Sequence, residues 1–90
     1  MMRWKQRVGW DVAVTGTITT PNGLGGHNTF RGVRQLIRVT GDPADGDRPI
    51  DEKQAMALAV SIAQETGMTA ITDFSVANGP FLVGEYLEEV

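Results

Sequence analysis

Ninety residues with 41% apolar content form one domain around one modest core, too short for separate cofactor and substrate domains. The absence of cysteine excludes disulfide staples and thiolate zinc sites. The net charge of -3 is unevenly placed: residues 1 to 40 hold six bases (Arg3, Lys5, Arg7, Arg31, Arg34, Arg38) and the single acid Asp11, whereas residues 41 to 90 hold ten acids and only Arg48 and Lys53. Segregated charge raises a field that scattered charge would cancel, so the split suggests a recognition surface.

Gln6, Arg7 and Asp11 interrupt any apolar stretch behind the basic start, and no later run approaches the ~20 apolar residues of a membrane span. The expectation is a cytoplasmic chain with no membrane partner. From Val8 onward, Val8, Trp10, Val12, Val14 and Ile18 share one parity against Asp11, Ala13, Thr15, Thr17 and Thr19, the period of a half-buried strand. Extended upstream, the pattern puts Trp4 on the inward row and Arg3, Lys5 and Arg7 on the outward one. Gly16 stands in the core row, which implies either a bulge or a close cover, most simply a crossing helix.

Residues 21 to 28 are rich in Gly and Asn and read as a loop. Thr29 to Thr40 fits a strand better than a helix, because Gly32 disfavours helix and Val33, Ile37 and Val39 are β-branched on one parity. Arg34 and Arg38 then project with Leu36 away from the core. Residues 41 to 49 are a breaker-rich loop. Asp51 as N-cap, Gln54 three residues on and Gly67 as the stop predict a helix over 51–66. Its apolar arc, from Leu58 through Ala55, Ile62, Ala59, Ala63 and Met56 to Val60, is wider than one core contact requires. Two readings follow: the helix is set deeply into its own sheet, or Met56 or Val60 flanks a contact with a second chain.

Residues 70 to 77 alternate with apolar groups in both rows and predict a third, central strand. Asn78-Gly79 is a hairpin signal, so 80–87 is expected to return as a fourth strand, with a short terminal helix as the competing reading. The predicted fold is α+β, a small antiparallel sheet with one main helix on one face, in the order β-β-α-β-β across a single domain, 1–90.

Little chemistry is legible. His27 is the only histidine and lies beside two glycines in a loop, a poor platform for a held catalytic group. Asp42, Asp45 and Asp47 do not match the twelve-residue calcium loop, whose last position falls on Lys53. Gly23-Leu24-Gly25-Gly26 lacks the lysine of a phosphate-binding loop. The chain is therefore expected to be a non-enzyme with neither cofactor nor metal.

The function these residues suggest is a small protein–protein interaction module or modulator with a charge-segregated surface. By type alone it would be a phage or mobile-element inhibitor of a host machine that handles nucleic acid. Its candidate partner-binding residues are Arg3, Lys5, Arg7, Arg31, Arg34 and Arg38 on the basic side and Glu85, Glu88 and Glu89 on the acidic side. The expected partner is another protein, and a homodimer is predicted from the wide helical arc. One alternative is a nucleic-acid-binding module using the Arg3 to Arg38 face, against which the ten acids argue. A second is a small-molecule-binding or catalytic domain centred on the Gly-rich loop and His27.

Overall fold

A computed structural model describes residues 1–89. The elements are strand β1 (Met2–Pro21), strand β2 (His27–Val39), a one-turn 3-10 helix (Pro43–Asp45), helix α1 (Glu52–Glu65) and strand β3 (Met68–Glu89). They form a three-stranded antiparallel sheet in the order β2-β1-β3, with α1 on one face. The architecture is α+β, but the order is β-β-α-β, and the central strand is β1.

The alternating row predicted for β1 is the core row. Trp10, Val12 and Val14 are buried with Val39 of β2, Met68 of β3, Ile50, and Ala55, Ala59 and Ala63 of α1. The three alanines recur every fourth residue and bring the helix backbone close to the sheet. Leu58, Met56 and Val60 flank that line and are half-buried. Asp51 caps the helix: its carboxylate accepts from the Gln54 backbone N–H at 2.8 Å, while Gln54 Oε1 accepts from the Asp51 N–H at 3.1 Å. Gly67 follows with φ +102, the left-handed stop expected after a helix.

The loop predicted over 21–28 contracts to residues 22–26, because the β1–β2 ladder runs out to Pro21 opposite His27. Asn22 Oδ1 accepts from the backbone N–H groups of Leu24 and Gly26 and closes that turn. Gly16 is covered by Met68, not by the helix: a Cβ there would meet Met68 Cγ at 2.6 Å and the Thr69 carbonyl at 2.9 Å. A bulge also falls here on both flanks, since each neighbour shifts register against β1 between Thr15 and Ile18. Gly32, at φ +66, supplies the left-handed residue of the β2 bulge.

The predicted hairpin at Asn78-Gly79 does not form, and neither does a terminal helix. β3 runs on as one 22-residue strand from Met68 to Glu89. Residues 79 and 80 instead bulge opposite Trp10, between the pairs Gly9↔Phe81 and Asp11↔Asn78. Turn-forming residues and bulge-forming residues are the same types, and here the length of β1 decides between them. A hairpin would leave Met2 to Gly9 without a partner strand.

Candidate interaction surface

α1 has 14 residues and so spans ~21 Å at 1.5 Å per residue, whereas the molecule measures 61 × 21 × 16 Å. Most of the sheet's length is therefore uncovered. At one end β2 stops at Val39, opposite Trp10, and only β1 and β3 continue. Residues 2–8 and 82–89 form this two-stranded arm, in register Met2↔Glu89, Trp4↔Leu87, Lys5↔Tyr86, Gln6↔Glu85 and Val8↔Leu82.

On β1, Trp4 lies in the same row as Trp10, Val12 and Val14, but no helix reaches it. Trp4 is 66% exposed and Leu87, directly opposite, 49%, with Leu82 at 61% and Met2 at 54% along the same ribbon. Glu85 and Glu89 flank Leu87 on its face and make no ion pair among the described residues. A second apolar surface lies on the body, where Met56, Ala57 and Val60 of α1 and Phe74 of β3 line an open groove of ≈ 490 Å³ with Lys53 as its charged member. Phe74 is itself 49% exposed.

Arg3, Lys5, Arg7, Arg38 and Arg34 share one face of the sheet, the first three on the outward row of β1 and the last two opposite Asp11 and Thr15, but they are spread along its length. Arg3 and Lys5 lie across from Glu88, with Lys5 Nζ at 2.7 Å and Arg3 Nη2 at 3.9 Å from its carboxylate. The close contact with Lys5 is the main reason that the Glu88 carboxyl lies below the usual carboxylate range; desolvation opposes it, and the charges of Lys5 and then Arg3 add to the lowering. Arg7 donates to the backbone carbonyls of Thr40 and Asp47 and so ties the 41–47 loop to β1. Arg38 forms a two-pronged contact with Asp11, Nε at 3.0 Å and Nη2 at 3.4 Å, and stands 4.8 Å from the centroid of the Phe81 ring. Its hydrogen bond is the main reason that the Asp11 carboxyl is also lowered; the Arg38 charge and Asn78 add to it.

Arg34 lies opposite Thr15, with Asp73 across on β3. Arg31 lines a hollow with Thr17, Thr29 and Thr72 beside the two bulges. Arg3 and the position of Arg34 are 12 residues apart along β1, or ~40 Å. The topology thus brings Arg3, Lys5 and Glu88 together, leaves Arg34 and Arg38 further along, and separates Glu85 and Glu89 onto the opposite row from Glu88.

His27 is exposed at the first position of β2, opposite Pro21. Asp42 caps the 3-10 helix by accepting from the Ala44 N–H, and Asp45 pairs with Arg48 at 3.2 Å. Among the described residues, no group of three His, Cys, Asp or Glu side chains is placed to hold a metal ion, and no helix is long and apolar enough to cross a membrane. Sequence reasoning passed over Met2, Leu82 and Leu87 as surface residues. The available signal was Trp4 on the inward row of a strand that outruns the helix.

Fold and surface define a helix-backed three-stranded ribbon with an apolar arm. No protein-family model matches the chain, and no curated protein or solved structure matches it.

Proposed function

We propose that the protein is a non-catalytic interaction module that binds another protein through the apolar face of its arm. One observation carries this reading: Trp4 and Leu87 pair across a ribbon that no other part of the described chain covers. Isolated two-stranded ribbons are marginal in water, and large apolar groups on them gain from burial against a partner. The acidic residues at this surface, Glu85 and Glu89, favour a partner whose apolar groove carries a base. The basic residues contribute less to recognition than their number suggests, since Arg3, Lys5, Arg7 and Arg38 are each engaged within the chain.

Affinity capture from the native host, followed by mass spectrometry, tests this with the wild-type chain beside a Trp4→Ser/Leu87→Ser variant. The expected result is a protein retained by the first and lost by the second. Capture that is indifferent to the arm, together with duplex or single-stranded nucleic acid bound with a steep salt slope, would replace the reading with phosphate binding.

A further inference from the structure

We infer that the arm's partner is a second copy of this chain, and that two copies associate about a two-fold axis with each arm laid on the other's α1 layer. The inference rests on the interaction reading above and names its partner. It follows from two surfaces of one chain that complement each other. The arm offers Trp4, Leu87 and Met2 with Glu85 and Glu89, free of ion pairs among the described residues; the body offers Met56, Val60 and Phe74 with Lys53, equally free. Lys53 is one of only two bases in residues 41–90, and it lines the Met56–Val60–Phe74 groove, where an acidic arm requires it.

The shape agrees. The molecule has two layers where Ala55, Ala59 and Ala63 pack on Trp10, Val12 and Val14 in the middle of β1, and one layer along the arm. The arm's Trp4 belongs to the same β1 row as the residues under the helix, so its bare face continues the helix-bearing side of the sheet. Rotation by 180° across the long direction sets each helix over the other copy's arm. The product is a sheet–helix–sheet sandwich in which the arm and the groove of both copies are covered. A two-fold contact is self-complementary, so each copy contributes its arm and its groove. Using both surfaces is how so small a chain approaches the ~800 Å² per partner of a stable interface.

Sedimentation equilibrium on the full chain, from low to high micromolar concentration, tests the inference. Wild type is expected to be a dimer. Trp4→Ser/Leu87→Ser is expected to be a monomer with an unchanged far-ultraviolet circular dichroism spectrum, and Val60→Glu, on the groove side, is a second route to the monomer should the arm variant fail to fold. Lys53→Glu should weaken dimerisation about tenfold, Glu85→Lys with Glu89→Lys likewise, and the three together should restore it, as expected for complementary charges at an interface. A wild-type monomer at high micromolar concentration, or a dimer indifferent to both Trp4/Leu87 and Val60, overturns the inference. A monomer that still captures a host protein through Trp4 and Leu87 removes the second copy alone; a monomer with no arm-dependent capture removes the interaction reading as well.

Discussion

At Gly16 an added methyl group would meet the neighbouring strand β3. An added Cβ would lie 2.6 Å from Met68 Cγ and 2.9 Å from the Thr69 carbonyl, and the Met68 side chain is among the most deeply buried in the molecule. A flexible side chain can turn aside, but a strand carbonyl cannot. Gly16→Ala is therefore expected to destabilise by about 1–3 kcal/mol in urea denaturation, the usual range for overpacking. A loss below about 0.5 kcal/mol would mean that the bulges on either side absorb the methyl. The two perturbed carboxyls make a separate prediction. Asp11 and Glu88 are held below their ordinary values by Arg38 and Lys5. A depressed folded pKa contributes stability that is present above the ordinary carboxylate value, ~4, and is lost as pH falls through the lower folded value. Thermal melts should therefore show stability dropping below about pH 4, and a chain carrying Asp11→Asn and Glu88→Gln should show a shallower drop. Both carboxylates are half-buried but pair with solvent-exposed cations, so their absolute contribution at neutral pH is small.

α1 is the element whose boundaries were most legible, because cap, stop and apolar period agree on the same residues. Asp51→Ala removes one half of a reciprocal cap and should cost about 1 kcal/mol in urea denaturation. The predicted apolar arc holds Leu58 and Ile62 together with three alanines, and the fully buried line is Ala55, Ala59 and Ala63, with Leu58 and Ile62 half-buried beside it. Leu58→Ala should then cost about 1–2 kcal/mol, short of the 2–5 of a fully buried leucine. A helical wheel finds the width of the apolar arc but not which residue on it faces a close-approaching sheet. β3 departs from the predicted hairpin for a related reason. Asn78, Gly79 and Pro80 carry every local mark of a turn, and only the 20-residue length of β1 shows that a strand must continue past them. Gly79 at φ +131, with the Gly9 carbonyl 2.9 Å from its absent Cβ, meets the need of a bulge as well as it would meet that of a hairpin.

At the scale of the whole molecule, the charge split that is plain in the sequence is partly consumed by the sheet. The order β2-β1-β3 lays a strand of the acidic half against the basic start, so that Lys5 and Arg3 meet Glu88 within one chain. Counting charges along the chain shows that partners exist; it does not show that they are the chain's own. The apolar arm was half legible, since parity placed Trp4 inward but nothing in the sequence marks where the core ends. That boundary is set by the reach of a ~21 Å helix over a 61 Å molecule. The same mismatch makes a measurable shape. A compact chain of this length has a radius of gyration of ~12 Å, whereas this one has 16.4 Å. Small-angle scattering of the Trp4→Ser/Leu87→Ser chain, freed of association through the arm, should therefore give a value near the larger figure, with a longest dimension near the 61 Å of the sheet. A value near ~12 Å would mean that the arm folds back over α1 in its own chain, in which case the Met56, Val60 and Phe74 groove is filled from within and Trp4 is not presented to a partner.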